Sequence, residues 1–446
     1  MNITLRCLLA VLLFQSLGWG SELTGQINFR RERAFIHYTN TEGLPHSFVR
    51  DIIQDEHGFM WFTTQIGVCR FDGYQFRDYE VRKADGKPAN LSKCYLFRNG
   101  RTGQIYLVTS ENRIFEYVDD QALFQECYQL PSSSWRIRSL EYSEAGGYWF
   151  CQDGQVFYLD EEFSNLRSIN TYFPFTVPTL KDANCRFAVE RNELLYVLLD
   201  EGRLVEINPR NKKIKTWDLP SGFAFNFTTL FVDRSGNAWI GSADTGLVSV
   251  NTNNGTIEHF SEDAEPPFKV PSNFIRVVAQ DRGGNVWFGS ENGLCIWNVG
   301  LQNLEVYQYD IHHPEGINAN AIYAIYCDQG GDVWVGTYFG GINLHSTRKE
   351  FFNFFRGGVG DFYMSGDQVR GIAEDEEGNI YVGLEGEGFN KIDIRTGEIE
   401  RFQHIPGENS LSYDNVHTLL FGPDKKLYIG TYTGGLNIYD RERKHF

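Results

Sequence analysis

One sentence of residues is spoken again and again along this chain, and that repetition limits the fold more than any other feature. The stretch DRGGNVWFGSENGLCIWN at 281–298 returns as DQGGDVWVGTYFGGINLH at 328–345 and as DEEGNIYVGLEGEGFNKID at 375–393. With the aromatic of VWFG as anchor, equivalent aromatics stand at Trp61, Tyr106, Trp149, Tyr196, Trp239, Trp287, Trp334, Tyr381 and Tyr428, spaced 43 to 48 residues apart. Such a period means stacked or circular units, none of which buries its own faces alone. The register inside each unit is tighter than the period. Nine positions before the anchors lie Ile52, Phe97, Leu140, Phe187, Leu230, Val278, Ile325, Ile372 and Leu419, all apolar. Insertions therefore fall elsewhere.

Each copy reads as short strands. FVRDIIQD is apolar and β-branched, EHG turns, and FMWFTT runs back. A glycine three before the anchor (Gly58, Gly103, Gly146, Gly236, Gly284, Gly331, Gly378) suits a turn that needs positive φ. An aspartate six before it (Asp55, Asp233, Asp281, Asp328, Asp375) is placed to accept backbone N–H groups across that turn. A second hairpin and a fourth aromatic strand complete the unit. Four antiparallel strands per repeat, without helical periodicity, predict an all-β chain of β-propeller blades. The segment AFIHY at 34–38 reads as a fourth strand with no first strand before it. It would complete the last blade and close a ring without an open edge. That arrangement predicts a seven-bladed propeller over 34–355 and two further blades, the start of a second propeller, over 356–446. One larger ring is the alternative.

Composition excludes some functions. A net charge of −17 on 446 residues argues against nucleic acid and anionic lipid as partners. Residues 1–20 have the build of a signal peptide, with Arg6, an apolar run from Leu8 to Leu17, and Gly18 and Gly20 before a cut. Residues 21–33 then serve as a linker, and the remainder is expected to be exported. The seven cysteines beyond the signal are scattered and show no paired spacing, which suggests small core residues. No metal cluster, phosphate loop, cofactor motif or nucleophile–base pair stands out, so neither a cofactor nor catalysis is expected.

The pattern D-x-x-G-x-x-W-x-G, the openings EGLPHSFVRDI and GENSLSYDNVHTL, and the ending GGLNIYD resemble the two-component regulator propeller repeat. The resemblance runs from about residue 34 to 446 and is weakest in copies 2 to 4. It implies the N-terminal periplasmic sensor region of a hybrid two-component system histidine kinase. Such a sensor detects oligosaccharides from polysaccharide breakdown, works as a homodimer, and meets the membrane through parts C-terminal to this region. The sequence stops at RERKHF, and the resemblance therefore implies a fragment, a truncated frame or a stand-alone binder. A protein-interaction scaffold is the alternative reading, and a propeller glycosidase or lyase a more distant one.

A site is expected at the hub. Eleven before the anchors stand Arg50, Tyr95, Arg138, Cys185, Thr228, Arg276, Tyr323, Arg370 and His417. Arginine forks suit carboxylate or sulfate, so these positions predict a rim for acidic glycans. The competing expectation is that each arginine pairs with a nearby Asp or Glu. Loops after the second strand add Gln65, Asp244, Glu291, Asn292, Tyr338, Phe339, Glu385, Glu387 and Tyr432 as sugar contacts or local packing.

Overall fold

A computed structural model describes residues 34–446 except 92, 132–136, 138–139, 174–176, 181–182, 224–225, 312, 314, 348–356 and 359–362. The expected signal at 1–20, the linker at 21–33, Arg138 and residues 351–355 at the end of the expected ring lie outside the described residues. The chain divides into two compact units, over residues 33–349 and 350–446.

The first unit is a ring of seven blades, each with four strands running antiparallel from the hub outwards. The innermost strands are Val49–Gln54, Cys94–Arg98, Glu141–Tyr142, Cys185–Arg191, Phe227–Val232, Ile275–Gln280 and Ile322–Cys327. They begin blades 1 to 7. Blade 7 takes its fourth strand from the other end of the ring. That strand is Ile36–Tyr38, which pairs antiparallel with Ile342–His345 in the register His37 to Asn343. The first and last blades then share a core in which Val49, Ile52 and Phe62 meet Ala324, Trp334 and Ile342. A Cβ on Gly336 of blade 7 would lie 2.8 Å from Val49 of blade 1, so the ring closes tightly there. One departure from simple blades occurs at the outer edge. Strands Phe76–Arg82 and Leu123–Gln129 pair in parallel, which joins blades 1 and 2 into an eight-stranded sheet.

The repeat motif has a direct physical meaning. In blade 5, Asp233 Oδ1 accepts the backbone N–H groups of Ser235 and Asn237 at 2.8 and 2.9 Å. Its Oδ2 accepts the indole N–H of Trp239 at 3.0 Å. Asp55, Asp281 and Asp328 hold Trp61, Trp287 and Trp334 in the same way. The carboxylate thus ties the hairpin turn to the blade-filling ring, and the glycine between them takes φ of +85 to +95° in Gly58, Gly236, Gly284 and Gly331. All the ring's anchor aromatics are buried. Blade 3 has Ser143 where the aspartate should be, and the partner changes accordingly. Trp149 donates instead to Glu190 of blade 4 at 2.7 Å. Asp281→Ala strands the indole N–H and two further donors, those of Asn285, in a buried turn. It is expected to cost about 2–4 kcal/mol, read as a lower urea midpoint.

The second unit holds a four-stranded sheet (Val369–Glu374, Ile380–Leu384, Phe389–Ile392, Ile399–Phe402) and a three-stranded one (Val416–Phe421, Leu427–Thr431, Gly435–Tyr439). They pack through Tyr381, Phe389, Leu419 and Leu427. Leu436 in the last strand is 66% exposed, whereas its repeat equivalents Leu247, Leu294 and Ile342 are fully buried against the next blade.

Candidate functional site

Within the ring, the seven innermost strands converge on a cavity of about 980 Å³. A β-bulge shapes its lining. In blades 1, 5, 6 and 7 the register shifts between Val49 and Asp51, Phe227 and Thr229, Ile275 and Val277, and Ile322 and Ala324. The bulged residues are Arg50, Thr228, Arg276 and Tyr323, and each lines the cavity. A bulge re-aims a side chain out of the alternating pattern, so the position eleven before the anchor faces the hub. Blade 4 places its bulge one residue later, between Cys185 and Phe187. Arg186, not the expected Cys185, is therefore the structural counterpart of Arg50 and Arg276, and it too lines the cavity. Counting residues could not find that shift. Tyr95 of blade 2 completes this set.

The arginines sit in an aromatic frame. The Arg276 guanidinium lies 4.0 Å from the ring centre of Phe274 and 4.1 Å from that of Tyr323. Arg50 lies 4.6 Å from the ring centre of Phe48. Phe48 meets Tyr323 edge-on at 4.7 Å, and Tyr338 stacks on Tyr323 at 5.5 Å. Phe339, 76% exposed, packs against Tyr338 at 4.1 Å. The loop residue Tyr338 thus packs on a side chain that lines the hub, and Phe339 packs on Tyr338 in turn. Such clamps fix a planar cation in one orientation.

Acidic partners are present as well. Arg276 pairs with Glu291 through Nε at 2.8 Å, and Arg186 approaches Asp200 at 3.9 Å. Two carboxyl groups that sequence reasoning passed over, Asp51 and Glu141, also line the cavity. Burial raises both, Asp51 to about 7, with the charge of Glu141 adding to the shift on Asp51. Both Asp51 oxygens already accept backbone N–H groups, from Ile52 at 2.9 Å and Leu96 at 2.8 Å. That carboxyl is held by the scaffold rather than presented as a nucleophile. Lys93 joins the lining. The hub therefore gathers Arg50, Lys93, Arg186 and Arg276 against two carboxyls that burial pushes towards neutrality.

The remaining expected site residues lie elsewhere. Arg370, Glu385, His417 and Tyr432 belong to the second unit, so the nine counted positions do not form one ring. There Arg370 pairs with Glu385 through Nε at 2.8 Å, and His417 stacks on Tyr432 at 5.5 Å. Glu387 accepts from Gln403, Asp244 from Asn226, and Asn292 donates to the carbonyl of Pro271. Gln65 lines a second depression of about 970 Å³ at the outer edge of blade 1, whose lining shares no residue with the hub cavity. Among the described residues, no group of three or more His, Cys, Asp or Glu could hold a metal ion, and no helix is long and apolar enough to cross a membrane.

Comparison with known proteins agrees with this architecture. Residues 43–65, 269–292 and 316–339 match the model of the family described as Two component regulator propeller. The extracellular domain assigned to the hybrid two component system BT3049 from B. thetaiotaomicron aligns with a TM-score of 0.71 and 23% identity, covering 93% of this chain and 54% of that one. The corresponding domain of BT4673 from the same organism gives 0.56 and 20%, covering 93% and 53%. This chain thus spans about half the length of those domains. A virginiamycin B lyase from Staphylococcus aureus aligns at 0.52 and 14%, covering 70% of this chain and 98% of the lyase. At these identities the likeness shows the propeller fold. No curated protein matches the chain.

Proposed function

We propose that this chain, which carries the two-component regulator propeller repeat, is the exported, ligand-sensing propeller of a two-component system and binds acidic oligosaccharides in the hub of its ring. One observation carries the reading. Four basic side chains meet in a single cavity of a protein whose net charge is −17. The Arg276 guanidinium, clamped by Phe274 and Tyr323, already holds the Glu291 carboxylate through Nε and Nη2, and a ligand carboxylate or sulfate fits the same two-pronged donor edge in exchange. Tyr338 and Phe339 add ring surface of the kind that pyranose faces stack on. The supporting experiment is calorimetric titration with uronic-acid, sulfated and neutral oligosaccharides of equal length. Binding confined to the acidic members supports the reading, and equal binding or none across the panel defeats it.

The exposed face around Leu436 and Leu420 of the second unit supports a companion proposal. Further propeller blades cover it, and ligand in the hub biases a homodimer of the full sensor.

The buried acid gives a pH signature. Asp51 takes up a proton as pH falls through about 7. Each proton bound removes a negative charge from the cavity, so affinity for an anion is expected to rise from pH 8 to pH 6. Titrations across that range should show a negative slope of affinity with pH in wild type and a flatter one in Asp51→Asn.

A further inference from the structure

We propose that Cys151 and Cys185 form a disulfide that stitches blade 3 to blade 4 when the chain folds in an oxidising compartment. The argument is one of position. Two residues after the anchor, blades 5 to 7 carry Gly241, Gly289 and Gly336, and the second unit carries Gly383. Each faces the first paired residue of the next innermost strand. A Cβ on Gly289 would lie 2.6 Å from the Ile322 Cβ, one on Gly336 3.1 Å from the Val49 Cβ, and one on Gly383 3.3 Å from the Val416 Cβ. Successive blades therefore approach one another at this slot to within bonding reach of their Cβ atoms.

Blade 3 has Cys151 in place of that glycine. The facing residue of blade 4 is Cys185. It pairs with Leu199 just as Ile322 pairs with Thr337 and Val49 with Thr64, each immediately before the bulge. Both cysteines pack into one apolar cluster with Trp149, Ala188 and Val197. A disulfide needs Cβ atoms about 3.5–4.5 Å apart, slightly wider than the glycine-type contact, and this is the slot where two cysteines face each other. At the equivalent place between blades 1 and 2, Cys94 pairs with Thr109 and the position two after the blade 1 anchor is Thr63, which offers no second sulfur.

In the structure both residues are free thiols. Burial raises both, Cys185 to about 12, and the charge of Asp200 acts in the same direction. Thiolate is the attacking species, so the pair reacts while the chain is folding and is protected from exchange afterwards. The oxidant is a disulfide donor: an oxidised dithiol protein in an exported compartment, or oxidised glutathione in vitro. One cysteine Sγ attacks the donor's S–S bond and releases one donor thiol. The second Sγ displaces the other donor thiol from the mixed disulfide. One Sγ–Sγ bond forms, the donor bond breaks, and two electrons and two protons end on the donor.

The test does not depend on export. The full chain is unfolded, refolded in a glutathione redox buffer, and alkylated with N-ethylmaleimide in denaturant before peptide mapping. A cross-linked peptide joining Cys151 to Cys185 is expected, with Cys7, Cys69, Cys94, Cys127, Cys295 and Cys327 alkylated. The oxidised protein should unfold at a higher temperature than the reduced one. Cys151→Gly, which installs the residue the other blades use, should leave Cys185 alkylated and abolish the difference. Complete alkylation of both residues after oxidative refolding overturns the proposal, and so does a bond from either one to a different cysteine.

Discussion

Replacing Phe35 with alanine should lower the stability of the ring by about 3–5 kcal/mol, the range for removing a buried phenylalanine. The residue is 6% exposed and packs with Trp287, Leu294, Ile296, Ile317 and Ile322. Its ring meets Tyr307 edge-on at 6.1 Å, and its N–H donates to the Glu315 carbonyl at 2.8 Å. It leads into the closing strand, which links the start of the ring to its end. Loosening Ile36–Tyr38 exposes the Ile342–His345 strand as an open edge in blade 7. The expected result is a lower denaturant midpoint with faster proteolysis within blade 7. A variant with an unchanged midpoint would mean that the ring holds together without its closure.

The second large effect concerns recognition. Arg276→Ala should weaken binding of an acidic oligosaccharide by roughly 10- to 100-fold, the worth of a charge-assisted, two-pronged contact. Arg276→Lys keeps the charge and loses the planar fork that Phe274 and Tyr323 hold, so it should fall between alanine and wild type. Glu291→Gln should act in the opposite direction. Its carboxylate occupies the Arg276 donors, and removing its charge leaves them to the ligand. Calorimetry on the three variants reads all of this together. Equal affinities in wild type and Arg276→Ala would place recognition outside the hub.

Much of the fold was legible because the repeat is enforced by packing. The strict nine-residue interval, as from Val278 to Trp287, exists because the two residues fill the gaps on opposite faces of the same blade. The Asp–Gly–Trp spacing exists because one carboxylate serves a turn and an indole. AFIHY could be read as a closing strand because an orphan fourth strand at the N-terminus has one useful place to go, and it pairs there with Ile342–His345. The site was legible only where blades keep the common register. Arg50, Arg276 and Tyr323 were found by counting. Arg186 was not, because blade 4 moves its bulge by one residue, and a bulge leaves no mark in composition. Asp51 and Glu141 were missed for another reason. Their importance comes from enclosure, which depends on blades far apart in sequence. Arg370 and His417 were counted into the same rim, and Glu385 and Tyr432 among the loops, because a repeat shows where a residue sits in its blade, not which unit the blade joins.

The most direct test of the hub as the recognition site is a crystal structure of the chain with a bound uronic-acid oligosaccharide. The account predicts its carboxylate on the Arg276 fork inside the ring, with a sugar face against Tyr338 or Phe339. Ligand density at the outer edge of blade 1 around Gln65, with the hub empty of sugar, would contradict it.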